Sequence, residues 1–153
     1  MTAVVVIHSR ADAEEFARAV ARRLPGPAVQ IPFAAFVRDW PVTAPAAEAL
    51  ATVSAQQAKL LVAGYVRAGF QVVLHGSFVV GDQGIDAAEE IVRLMATVPQ
   101  VRTLRVYAVP AHAEEASPLP SPPHDLRCDL QAISVDEAAE QVHRALTARG
   151  LPG

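Results

Sequence analysis

Apolar runs alternate with stretches of helical spacing along the whole chain. Positions 3–8 form a continuous apolar run of mostly β-branched residues, the pattern of a strand covered on both faces. Positions 12–24 then place Phe16, Ala19, Val20 and Leu24 on one helical face. Asp12 and Glu15 stand at capping-box spacing there, and Pro25-Gly26-Pro27 ends the helix. A second strand is predicted at 28–31, followed by a loop at 32–41. A long helix follows from Thr43, a capping residue, through Pro45 in its first turn to Ala68, with Gly69 as its stop. Positions 71–75 read as a third strand. Positions 76–84 read as a loop in which residues 77–80 can extend that strand. A helix at 86–97 is capped by Asp86 and Glu89, and a strand at 102–109 follows. Residues 110–124 are proline-rich and predict an extended loop. A fifth strand is predicted at 127–133. Ser134 and Glu137 form a capping box for a last helix to Ala148.

Strand and helix thus take turns from one end to the other. That order predicts a single α/β domain over residues 1–153, a three-layer sandwich with a five-stranded parallel sheet flanked by helices and joined by right-handed crossovers. Ligands in such folds bind beyond the carboxyl ends of the strands. The segments to search are therefore 8–10, 32–39, 75–82 and 110–124.

Composition narrows the classes. Hydrophobic residues make up 52% of the 153, which suits a packed core and excludes a disordered chain. Net charge is -3, and no cluster of Lys or Arg interleaves with aromatics, so no nucleic-acid partner is expected. Lys59 is the only lysine. Cys128 is the only cysteine, which fits a reducing, cytoplasmic location. The apolar start lacks a basic lead-in and reads as a strand rather than a signal peptide, and no run is long enough to span a membrane.

Three stretches carry a family resemblance. Val4-Val5-Val6-Ile7 followed by residues 16–24, Gly69-Phe70-Gln71-Val72-Val73-Leu74-His75-Gly76 after the long helix, and residues 125–130 with 134–139 together resemble the P-loop small-molecule kinases. That group includes shikimate, gluconate and antibiotic phosphotransferases. The resemblance covers most of the chain and implies the strand order 2-3-1-4-5. It also implies a phosphate cradle, G-x-x-x-x-G-K-[ST], between the first strand and helix, where backbone amides and a lysine hold phosphate and a hydroxyl holds Mg²⁺. Here that segment is His8-Ser9-Arg10-Ala11-Asp12-Ala13-Glu14-Glu15. It has no glycine, no lysine and no hydroxyl at the helix start, and it is about one residue short. Asp12, Glu14 and Glu15 crowd the first helical turn, where they satisfy the helix dipole and oppose a further anion. Residues 113–124, the stretch corresponding to the family's lid, contain neither Arg nor Lys, and His75 stands where many relatives carry a Mg²⁺-supporting acid.

Among the candidate residues, His8 and His75 end neighbouring strands and, with Asp39 or Asp82, have the makings of a metal site or an acid/base pair. The alternative is that they hydrogen-bond loop backbone, and no H-x-H or H-E-x-x-H spacing supports a metal. His8, Ser9 and Asp12 are too close in sequence for a hydrolase triad, and Ser77 after Gly76 lacks the second glycine of a nucleophile elbow. Phe33, Phe36, Arg38, Asp39 and Trp40 follow the second strand, a region that helps hold the acceptor in the resembled family; packing against the long helix is the alternative. Cys128 reads as a small buried residue.

The expectation is a P-loop-kinase-like domain with a degenerate Walker A motif. It has lost kinase chemistry and binds a small molecule or a protein partner through His8, Ser9, Arg10, Phe36, Arg38, Asp39, Trp40, His75 and Ser77. No metal or cofactor is expected, and a homodimer through the long helix or the 36–40 loop is considered. The alternative is an atypical phosphotransferase or nucleotide hydrolase that binds ATP or ADP and uses Arg10, His8 and His75.

Overall fold

A computed structural model describes residues 2–9, 13–36, 44–80, 85–111 and 123–150. In chain order the elements are β1 (Thr2–His8), α1 (Glu14–Arg23), β2 (Ala28–Pro32), α2 (Ala44–Arg67), β3 (Gln71–Gly76), β4 (Val79–Val80), β5 (Ile85–Asp86), α3 (Ala88–Met95), β6 (Val101–Val109), β7 (Leu126–Asp129) and α4 (Val135–Ala148). A 3-10 turn over Phe33–Phe36 caps the end of β2. The main sheet runs β2-β3-β1-β6-β7 with every neighbouring pair parallel. This is the order the resemblance implies, once the short β4–β5 hairpin is set aside.

The pleat divides the core. Ala3, Val5, Ile7, Val73, Leu104, Val106, Ala108 and Cys128 face α1 and α4. Val4, Val6, Val72 and Leu74 face α2 and α3. β1 lies in the middle, and its residues from Ala3 to Ile7 are all at most 3% exposed. A strand sealed on both faces needs the unbroken apolar run seen in the sequence. Each such Val or Ile contributes roughly 1.5–3 kcal/mol by leaving water. On α2 the inward residues are small, with Ala51, Ala55 and Ala58 followed by Val62, which lets the helix lie close to the sheet. Its outer face leaves Val53, Leu60 and Leu61 exposed. Among the described residues no helix is long and apolar enough to cross a membrane.

Several boundaries differ from the sequence expectation. α1 begins at Glu14 behind Ala13, which makes no side-chain cap. Asp12, the expected cap, and Thr43, the expected cap of α2, lie outside the described residues. Asp86 belongs to β5, not to a helix, yet it still caps α3, since its Oδ1 accepts the Ala88 N–H at 2.7 Å. Glu89 does not reach back to complete a box; it meets Arg105 Nη2 at 2.7 Å instead. The last strand ends at Asp129 rather than 133. There the Asp129 side chain accepts the Gln131 N–H and its carbonyl accepts those of Ala132 and Ile133, closing a turn. Residues 79–80 do not extend β3; Gly76 turns the chain off the sheet at a φ of 126°, where a glycine is favoured, and 79–80 pair antiparallel with 85–86.

Of the last capping box, the Ser134 half forms. Ser134 Oγ accepts the Glu137 N–H at 3.1 Å and opens α4. Ser134→Ala is expected to lower unfolding free energy by about 1 kcal/mol, read as a shift of the urea midpoint with unchanged slope.

Candidate functional site

The carboxyl ends of the five parallel strands form one rim. His8 closes β1 opposite Gly76 of β3 and Tyr107 of β6. The side-chain period of two sends His8 to the α2/α3 face, with Val4 and Val6. Its ring, 7% exposed, lies 5.5 Å from Phe78 and 6.2 Å from Tyr107 between centroids. Phe78 meets Phe33 at 4.8 Å, Phe33 meets Phe36 at 6.0 Å, and Tyr107 meets His124 at 5.8 Å. The result is a row of six rings, Phe36-Phe33-Phe78-His8-Tyr107-His124, that crosses the carboxyl ends of β2, β3 and β1 and continues through β6 to the segment before β7. The spacings are those of favourable aromatic pairs. Only its two ends lack full burial: Phe36 is half-buried and His124 exposed. Asp86 Oδ2 stands 4.0 Å from His8 Nδ1, so a protonated His8 has a carboxylate beside it.

His75 lies elsewhere. It pairs with Ile7 and Pro32 in register, which turns its side chain to the α1/α4 face. There Gln30 Nε2 lies 3.3 Å from His75 Nε2 and 3.1 Å from the Glu14 carbonyl oxygen. An amide nitrogen carries two hydrogens and no lone pair, so both contacts are donations. His75 Nε2 is therefore the acceptor, and the neutral ring carries its proton on Nδ1. The acid/base or metal pair of His8 with His75, weighed in the sequence against hydrogen bonding to loop backbone, does not form: adjacent register positions on neighbouring parallel strands point to opposite faces. Among the described residues no three His, Cys, Asp or Glu side chains gather to hold a metal ion.

The other candidates divide in the same way. Ser9 is 2% exposed, and its N–H donates to the Gly76 carbonyl at 3.0 Å, extending the β1–β3 pairing beyond the strand. Ser77 is exposed beside the row. Phe36 forms one end of the row, and its carbonyl accepts the hydroxyl of the buried Ser54 at 3.2 Å, which ties the 3-10 turn to α2. Arg10, Arg38, Asp39, Trp40 and Asp82 lie outside the described residues. At the start of α1, Glu14 and Glu15 are both exposed and Arg18 Nη2 meets Glu14 at 3.1 Å, so two carboxylates complement the positive end of the helix. Cys128 is fully buried, its Sγ 3.9 Å from the Ala138 carbonyl, and burial pushes its thiol up to about 11. It is built as a core residue, not as a nucleophile.

Sequence reasoning missed Phe78, Tyr107 and Asp86 as neighbours of His8, and His124 as a neighbour of Tyr107. Tyr107 carried a usable signal, since it is apolar-strand register that sets it beside His8. The other three are brought in by turns and by the hairpin, which periodicity does not report.

No protein-family profile matches the chain, and no curated protein matches it at a significant level. Solved structures do match it in fold. They include the APS kinase CysC of Mycobacterium tuberculosis, a cysteine-to-alanine mutant, with a TM-score of 0.65 at 16% identity over 95% of this chain and 97% of that one. A hexameric APS kinase from Thiobacillus denitrificans matches with a TM-score of 0.60 at 12% identity, covering 99% of this chain but 30% of that one. Identities this low establish the fold: a five-stranded parallel sheet between helical layers, arranged as in P-loop kinases.

Proposed function

We propose that this P-loop-kinase-like domain has lost phosphoryl transfer and binds a small molecule at the carboxyl rim of its sheet. The observation that carries the reading is the segment His8-Ser9-Arg10-Ala11-Asp12-Ala13-Glu14-Glu15, which connects β1 to α1. Phosphate needs amide-lined glycine backbone and a cation at that place, and the chain supplies carboxylates. His8, Ser9, Phe36 and Ser77 stand in or beside the aromatic row, and with Arg10, Arg38, Asp39 and Trp40, their neighbours in sequence, they are the residues proposed to contact the ligand. His75 contributes by fixing Gln30 to the start of α1.

Incubation with ATP, Mg²⁺ and a panel of hydroxyl acceptors is expected to give no turnover above the protein-free rate. APS, named in the matched structures, belongs in that panel. Phosphorylation that disappears in Arg10→Ala would overturn the proposal. A thermal-shift screen of metabolites is expected to find the ligand, since one present at 100 times its dissociation constant adds about 2.7 kcal/mol. The rival reading, an atypical phosphotransferase or hydrolase, asks His8 and His75 to serve one substrate. Their placement on opposite faces weighs against it. Calorimetry with ATP and ADP decides: micromolar binding abolished by Arg10→Ala would favour the rival.

A further inference from the structure

At the other end of the sheet, where the strands begin, α2 and the turn before β6 enclose a groove of about 420 Å³. One wall is the stripe Lys59-Ala63-Arg67 of α2, spaced four residues apart and hence on one helical face. The opposite wall is the turn from Thr97 to Gln100, and Thr2 closes the end. The volume lies within the range of small-molecule sites. No acidic residue lines it.

Among the described residues, the side chains of Lys59 and Arg67, like those of Arg22 and Arg127, take no part in the ion pairs of the fold. Arg18, Arg23, Arg93, Arg105, Arg144 and Arg149 each meet a carboxylate. Among the described residues the side chains of Lys59 and Arg67 make no ion pair or hydrogen bond. Eight residues of helix separate their Cα atoms by about 12 Å. Ala63 between them leaves the intervening space open, so two long cationic side chains can close on one guest from either end. Thr97 already donates its hydroxyl proton to the Leu94 carbonyl at 2.7 Å, which leaves its oxygen as an acceptor. The wall is completed by Val66, Val98 and Pro99, and such apolar surroundings strengthen a charge-assisted contact relative to open water.

We infer that this groove binds a small molecule with two anionic groups, phosphate or carboxylate. Lys59 and Arg67 take one group each, and the Thr97 oxygen accepts from a ligand hydroxyl. The site is independent of the rim proposed above, which lies at the opposite ends of the strands.

Calorimetry of the whole chain in low salt, with pyrophosphate and citrate as probes and acetate as the monoanion control, tests this. The expected result is single-site binding of at least one of the two polyanionic probes and none of acetate; the probe preferred distinguishes a phosphate from a carboxylate ligand. The double variant Lys59→Met/Arg67→Met is expected to weaken binding by about tenfold or more, the usual effect of losing a charged hydrogen bond. Ala63→Leu keeps both charges, enlarges a half-buried side chain in the groove wall, and is expected to abolish binding by filling the groove. Arg10→Ala is expected to leave it unchanged. Absence of binding by the unsubstituted chain would overturn the inference. So would binding that survives Ala63→Leu, which marks diffuse surface attraction, or binding lost in Arg10→Ala, which places the anion at the rim.

Discussion

Phe78→Ala is expected to cost about 3–5 kcal/mol of unfolding free energy, the range for a fully buried aromatic side chain. Phe78 is 0% exposed and lies between Phe33 at 4.8 Å and His8 at 5.5 Å, so its removal interrupts the row at its centre. Its carbonyl also accepts the Ala87 N–H at 2.7 Å, which fastens the loop after β3 to the start of α3. The backbone bond survives the substitution; the packing does not. Since domains of this size hold about 5–15 kcal/mol in total, the variant should sit near its unfolding threshold at 37 °C. Equilibrium urea unfolding measures the loss, and Phe78→Leu should recover a large part of it. A loss below about 1 kcal/mol for the alanine variant would show that the loop collapses onto the vacancy and that the row does not hold the rim in place.

The second large effect depends on pH. Burial raises the Cys128 thiol from the usual 9.0 to about 11 in the folded chain. The folded state therefore keeps its proton over a range where the unfolded state has released it. Stability from this group is intact below pH 9, falls as pH rises, and is lost fully once pH passes 11. At about 1.4 kcal/mol per pH unit, the whole loss is about 2–3 kcal/mol. Tyrosines and lysine titrate nearby in pH, so the informative quantity is a difference. Unfolding free energies of the unsubstituted chain and of Cys128→Ala, measured from pH 8 to 11, should converge as pH rises, because the variant lacks the term. Parallel curves would mean that the thiol ionises in place, contrary to its position beneath α4.

The fold was legible because its strongest constraints are local and periodic. Val4 to Ile7 must be apolar at every position to lie in a strand covered on both sides, and that is written plainly in the sequence. Ser134 with Glu137 specifies a helix start through two atoms three residues apart. Where a boundary was missed, a side chain competed with the backbone pattern. Asp129 folds its carboxylate onto Gln131 and stops β7, although apolar residues continue to Ile133. Asp86 caps α3 from within a two-residue strand, a placement that spacing alone reads as helix.

The site was legible only by position. The strand ends were marked as the place to look, and His8, Ser9 and Phe36 do stand at them. Which face each side chain takes depends on register between strands far apart in sequence, and a shift of one residue reverses it. His8 and His75 look equivalent in the sequence, each the polar end of an apolar run. The register that pairs Ile7 with His75 makes them opposites.

That opposition turns the sheet into a septum between two chemical compartments. On one side His75 is a neutral acceptor locked into the Gln30–Glu14 clamp; on the other His8 sits among rings with Asp86 close by. A proton taken up by His8 changes the charge beneath α2 and α3 without asking anything of the His75 clamp. Each compartment is free to diverge under its own selection while the strand between them stays fixed.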